Sequence, residues 1–332
     1  MEQTDVKSVF AAKDEAGQTE QDAHTQQADS HQTQWLADLK LTFDSPTQQP
    51  SMATTDAHDG LNLAPKTRLG KREQLGPLSV QRPFYPENHG ACHVYLLHPP
   101  GGVVGGDHLH IQIETKPHAH ALITTPGATK FYRHNGQSSA QVQTLTARSH
   151  SLLEWLPQEN IFFNDAKVNL TTQIHLEADA LFLGWEMHCF GRPALKECFT
   201  LGRLSGTTQI FDTSDRQLGE KKLLLTENIH LIGDDDLMRA VGLQGFQMLG
   251  SFYITQKNPQ DFELVQKLLE EIQTQTKRTD LVIGCTLIGR LIVVRAWSDW
   301  SEPMQHAFCH IWQQVRKAWF DEEPELPRIW AT

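Results

Sequence analysis

His110-Ile-Gln-Ile-Glu114 and Ala121-Leu-Ile-Thr-Thr125 are the stretches on which the fold turns. Both are short runs rich in β-favouring residues, bounded by glycine and proline. Residues 142–145, 151–155, 170–176, 180–185 and 209–211 continue the series. Scarcely a helical stretch interrupts it between Leu78 and Ile232. Many short strands at near-regular spacing predict a mainly β protein, built of stacked sheets or a β-helical arrangement. No exact internal repeat is present, so spacing alone does not establish a regular solenoid.

Upstream, residues 35–43 read as one half-buried strand, because Trp35, Ala37, Leu39, Leu41 and Phe43 alternate with polar residues. Residues 1–34 are acidic and Gln-rich with no apolar periodicity; such a segment buries too little to offset its ordering entropy and reads as a disordered tail. Residues 44–66 read as a long surface loop. Downstream, Phe262, Val265, Leu268, Leu269 and Ile272 recur at helical spacing after Asn258-Pro259. Two apolar runs, 281–288 and 291–297, pivot at Gly289-Arg290 as a hairpin. Ser301-Glu-Pro303 then opens a second helix as cap and first turn, with Met304, Phe308, Ile311, Trp312, Val315 and Trp319 on one stripe. The expected layout is therefore one β-rich domain over 35–332, with two C-terminal helices around a hairpin in a unit spanning 259–320.

Composition excludes several classes of function. The net charge of −11 argues against general nucleic-acid binding, which depends on neutralising phosphates. No run approaches the roughly 20 apolar residues that span a bilayer. The opening Met-Glu-Gln-Thr-Asp lacks the basic and apolar regions of a signal peptide. Five cysteines without CxxC spacing suit reduced thiols, so a cytoplasmic location is expected.

Three sets of residues invite a chemical reading. The glycine-rich run His98-Pro-Pro-Gly-Gly-Val-Val-Gly-Gly-Asp107 lacks the Lys-Ser/Thr and the following helix of a phosphate loop, and reads as a tight turn. The pairs His108/His110 and His118/His120 stand at i, i+2, where a strand would put each pair on one face able to chelate a borderline metal. Solvent-facing histidines do the same, and no zinc-type spacing is present. Glu154, Glu186 and Glu227 lie in or beside apolar runs. A carboxylate there is costly unless it is paired, faces water or meets a metal ion. They sit either on wet strand faces or along a carboxylate-lined passage. No Gly-x-Ser-x-Gly nucleophile elbow occurs, and nothing in the chain demands an enzyme.

The word string is more specific than the chemistry. Gln81-Arg-Pro-Phe-Tyr-Pro-Glu87, the run from Cys92 through Asp107, Thr125-Pro-Gly-Ala-Thr-Lys-Phe-Tyr-Arg133, Leu153-Glu-Trp-Leu-Pro-Gln-Glu-Asn-Ile161, Gly191-Arg-Pro193 and the terminal Pro327-Arg-Ile-Trp-Ala-Thr332 occur in this order. Together they resemble the urease accessory protein UreD (UreH) family. The resemblance implies stacked β-sheets with right-handed β-helical winding plus two helices. It further implies a non-catalytic partner of UreF-type and UreG-type accessory proteins that docks on the urease apoprotein and assists nickel insertion. The GTPase activity would belong to the partner, and Ni²⁺ would be carried transiently, with no tightly bound cofactor. Asp107, Glu186 and Glu227 match acidic positions that line the family's internal passage. His98 and His108 are possible transient metal contacts, His108 standing where the family often has an acidic residue. Arg328 and Trp330 are the partner-binding candidates. Two rivals stay open: a β-rich metallohydrolase using His98, Asp107 and neighbouring histidines, and a nickel-storage protein drawing on the 17 histidines.

Overall fold

The computed structural model describes residues 35–46, 66–214, 221–239, 242–277 and 280–331. The tail read at 1–34, and most of the loop read at 44–66, lie outside the described residues. The first sheet has seven strands. Five run parallel in the order β1 (Leu36–Asp44), β5 (His108–Thr115), β8 (Ser139–Ala147), β11 (Lys167–Leu176) and β13 (Arg203–Asp212). Antiparallel β2 (Arg68–Leu75) and β14 (Lys222–Ile232) close its two edges. In the second sheet β4 (Cys92–Leu97), β6 (His120–Thr124), β9 (Leu152–Leu156) and β12 (Leu181–Phe190) run parallel. The short β3 (Ser79–Val80) flanks β4. On the other side β15 (Met248–Thr255), β17 (Leu291–Ser298) and β16 (Leu281–Ile288) continue the sheet antiparallel. A narrow third wall is made by Val103, β7 (Thr129–Phe131), β10 (Asn160–Phe162) and the end of β12.

The chain passes from the first sheet to the second and back, giving a β-solenoid of about four turns. Its coils are geometrically regular although the sequence does not repeat. His108 lies beside Ala140 and His120 beside Leu152, so both walls advance by the same chain length. Leu176 beside Ala147 and Leu181 beside Leu152 repeat this one coil on. The glycine-rich run supplies the third wall of the first coil. A Cβ on Gly102 would stand 2.9 Å from the Lys130 carbonyl oxygen, and one on Gly105 would stand 2.6 Å from that of Gln137. That close backbone approach explains the glycines without a phosphate.

Alternation decides which residues face where. In β5, Leu109, Ile111 and Ile113 are buried between the sheets, while His108, Gln112 and Glu114 face outward. The second sheet is covered on both faces, and β9 is accordingly buried throughout. Its outer face packs on α2 (Gln260–Gln275) and α3 (Ser301–Phe320); α1 (Gly233–Met238) is a short turn after β14. The hairpin and both long helices fall where sequence periodicity places them. Two local expectations change. Trp35 precedes the first strand and is 47 % exposed, its backbone N–H held by Asp107. Ser301 is the first helical residue and Trp300 takes the cap position, without a side-chain cap bond.

A buried ion network fastens α3 to the sheet. The Arg316 guanidinium donates to Glu154 on β9 and, at 2.5 Å, to Glu87 in the segment before β4. Glu154 also accepts from Trp312 Nε1 at 2.5 Å and lies 2.6 Å from His120 Nε2, while Glu87 lies 2.6 Å from His93 Nε2. Burial would raise both carboxyls. Instead the Arg316 charge and the His120 hydrogen bond hold Glu154 at about 2, and the histidine hydrogen bonds with Arg316 hold Glu87 well below the usual carboxylate range. Glu154, which sequence alone left between a wet face and a passage, is a structural anion.

Candidate functional site

A polar layer crosses the apolar interior between the sheets. On β12, Phe182, Glu186, His188 and Phe190 point into the solenoid, while Leu183, Trp185, Met187 and Cys189 face the helices. Period-two geometry therefore sends Glu186 inward with the core. In register with it stand Ser251 on β15 and Arg295 on β17. Opposite, the first sheet contributes its own rung of neighbours: Gln143, Thr172, Thr208 and Glu227, one from each of β8, β11, β13 and β14. Two facing rungs of polar residues inside a β-solenoid form a layer that apolar packing does not require.

The two sides meet through hydrogen bonds. Thr172 and Thr208 hydroxyls each donate to Glu186 at 2.6 Å. Glu227 accepts from the Tyr253 hydroxyl and from Arg295 Nε. A cavity of about 10 Å³ lies among Glu186, His188, Thr208, Glu227 and Tyr253. A second, of about 30 Å³, lies among His98, Gln141, Gln143, Gln158, Asn160 and Glu186. Glu186 lines both, so its carboxylate stands between them. Spaces of this size hold about one water each. A fully hydrated metal ion does not fit; an ion here would exchange water for protein oxygens.

The electrostatics distinguish the two carboxylates. Burial raises the Glu186 pKa against the pull of its two threonine donors, and the charge of Glu227 adds to the rise. Among the described residues Glu186 has no cationic partner, whereas Glu227 is already matched by Arg295. Burial, then the charges of Glu186 and Glu227, lift the Tyr253 phenol well above its ordinary value, so it stays a donor. Burial holds His188 neutral down to about 4, which leaves its imidazole unprotonated at neutral pH. Glu186 lacks a compensating charge, so a cation arriving beside it would offset the desolvation penalty that now disfavours its ionised form.

A family profile described as UreD urease accessory protein matches residues 57–331. The chain belongs to the UreD family. It is 44 % identical over 302 residues to a urease accessory protein UreD of Aliivibrio fischeri (strain MJ11), covering 90 % of this chain and 96 % of the relative. It is 46 % identical over 268 residues to a UreD of Escherichia coli, covering 80 % and 92 %. A UreD of Pseudomonas putida (strain W619) is 39 % identical over 266 residues, covering 80 % and 89 %. These UreD relatives are named as accessory proteins, not as enzymes.

Of the residues that the UreD resemblance singled out, the fold brings Glu186 and Glu227 together around one cavity and places His98 on the second. Asp107 lines neither. Its oxygens accept from the backbone N–H groups of Trp35 (3.1 Å) and Val104 (2.9 Å), tying the glycine-rich turn to the start of β1. His108 is exposed on the outer face of the first sheet. Arg328 is exposed, whereas Trp330 is half-buried against Trp185 and Trp312, with Nε1 donating to Thr124 at 2.9 Å. Sequence reading missed Thr172, Thr208, Ser251, Tyr253 and Arg295. The available signal was Thr and Ser at inward strand positions, but no single strand reveals it. No helix of the described residues is long and apolar enough to cross a membrane, and no group of three or more metal-binding side chains gathers among them.

Proposed function

We propose that this protein acts in the cytoplasm as a non-catalytic scaffold of urease maturation. It links UreF-type and UreG-type accessory proteins to the urease apoprotein and guides Ni²⁺ through its polar interior. The observation that carries this reading is the pair of facing polar rungs with Glu186 between two cavities. Oxygen donors with an occasional imidazole bind Ni²⁺ loosely enough to release it, whereas a thiolate cage would retain it. Burial pushes the Cys189 and Cys309 thiols up to about 12, which keeps them protonated. The hydrolase rival needs Asp107 as a ligand or base, and both its oxygens are already engaged by backbone amides.

The test is a pull-down from cells expressing the chain with the urease genes, coupled to a urease assay. Co-purification of the accessory proteins, with urease inactive when this chain is omitted, is the expected result; normal activation without it would overturn the reading. Glu186→Ala and Glu227→Ala should each lower nickel-dependent activation by about tenfold, as loss of groups around a metal commonly does, while the accessory complex still forms. Activation at the parental level in both would remove the interior from the nickel route.

The C-terminal pair separates docking from folding. Arg328→Ala should weaken capture of the UreF-type partner without changing the unfolding midpoint. Trp330→Ala should cost about 2 kcal/mol of stability, below the roughly 3–5 kcal/mol of a fully buried aromatic because Trp330 is half-buried. Denaturant titration beside the pull-down reads both, and an unchanged complex with Arg328→Ala would take that residue out of the interface.

A further inference from the structure

Cys189 on β12, Met248 on β15 and Ser298 on β17 stand in register on the last rung of the second sheet before α3 begins. Two rungs back, Met304 and Phe308 of α3 press directly on Gly250 of β15. Over the last rung a surface groove of about 310 Å³ lies instead. Its floor is apolar, made by Ile161, Cys189 and Met248. One wall is Trp300, 49 % exposed, and the other is the turn Pro193–Leu195, where Leu195 is 66 % exposed.

Both walls are held by the fold. The turn is closed at its base by Arg192 N–H to Glu197 O at 2.8 Å and by Arg192 Nε to the Glu197 carboxylate at 3.0 Å. The Arg192 guanidinium also lies over the Phe163 ring, 4.4 Å from its centroid. On the other side Trp300 N–H donates to Ser298 Oγ at 3.3 Å, and that hydroxyl donates to Asp280 O at 2.7 Å. Large apolar side chains shown to solvent around one groove mark an interaction surface, and a fixed backbone lowers the ordering cost of binding. Three carboxylates, Glu159, Asp299 and Glu302, share the lining, and among the described residues none has a cationic partner. Arg192, the one basic residue of the lining, is already held by Glu197. Burial raises the Glu159 carboxyl, its own backbone N–H pulls it back, and the charge of Glu302 raises it further.

We propose that this groove is a docking site for a partner-protein segment that presents a lysine or arginine between apolar side chains. The apolar floor and the Trp300 indole take the flanking side chains, and the carboxylates of the rim meet the cation. An acidic segment would set like charges together, which costs several kcal/mol at an interface. A second copy of this chain is disfavoured on the same ground, because each carries a net charge of −11. None of the lining residues belongs to the C-terminal pair Arg328 and Trp330. The proposal does not rest on the maturation reading.

The test is selection of a displayed library of random short peptides on the immobilised full chain at neutral pH. Recovered sequences should carry Lys or Arg beside Leu, Ile or Phe, and raised salt should weaken their binding. Trp300→Ser combined with Leu195→Ser should lower the affinity of a recovered peptide by more than about tenfold, as loss of an anchoring aromatic does. Serine is a good residue at the cap position that Trp300 holds, so α3 is preserved. Asp299→Lys combined with Glu302→Lys should cost at least about tenfold as well, through like-charge repulsion. Matching unfolding midpoints establish that the variants are folded. Recovery of no peptide, of peptides without basic residues, or of peptides that bind both double variants at the parental level would overturn the proposal. So would self-association of the chain, read by light scattering, that Trp300→Ser abolishes, since the occupant would then be a second copy.

Discussion

Arg316→Met should destabilise the protein by about 3–5 kcal/mol, the usual cost of removing one partner from a buried ion pair. Arg316 is fully buried, and its two ends serve carboxylates from distant parts of the chain, Glu154 and Glu87. Methionine fills much of the volume and leaves two buried anions facing each other without a cation. Their remaining donors are Trp312 and the histidines His93, His89 and His120, which supply hydrogen bonds but no fixed positive charge. Arg316→Lys should lose less, since it keeps the charge but not the planar fork that reaches both carboxylates. Denaturant titration measures both. A loss below about 1 kcal/mol for Arg316→Met, the scale of an exposed pair, would mean that solvent reaches the network.

Acidification should act on the same region, beginning below about pH 6.5. In the unfolded chain histidine takes up its proton near that value. In the folded protein burial holds His188 to about 4; burial and then the Arg316 charge, against the pull of Glu154, hold His120 to about 4. Between those values the unfolded chain binds more protons, so stability falls as pH drops from about 6.5 towards 4. By pH 5 the loss is about 2 kcal/mol for each histidine. Glu154 adds a second window. Its contribution is complete above its ordinary carboxylate value and disappears as pH falls towards about 2. Unfolding midpoints measured between neutral pH and pH 5 should decline steadily, with a shallower slope in His188→Gln. A flat profile would show that these histidines are hydrated in the folded state.

These two expectations involve residues whose partners no local pattern announces. Glu154 stands in Leu152-Leu-Glu-Trp-Leu156, and Arg316 falls on the buried stripe of α3 between Trp312 and Trp319. Each breaks its own hydrophobic period, which marks it as costly. Neither sequence window says that the other exists. Trp330 shows the converse: a terminal aromatic read as a docking group packs beneath the helices, because the second sheet left a place between Trp185 and Trp312.

The sequence by itself determined the strands of the β body, the helix–hairpin–helix unit, the family and the absence of a phosphate loop, because these follow from short-range periodicity, turn chemistry and linear motifs. It also marked Glu186 and Glu227 as carboxylates in unusual company. Only the tertiary structure decided that those two share a cavity while Asp107 caps a turn and Glu154 binds Arg316. It alone brought Thr172 and Thr208 onto Glu186, and His118 beside His150. The reason is physical. A strand's period of two fixes which residues share a face, but the coil-to-coil register is set by hydrogen bonds between distant segments, as where His108 lies beside Ala140 and Leu181 beside Leu152. In a solenoid without a sequence repeat, that register exists only once the chain has wound.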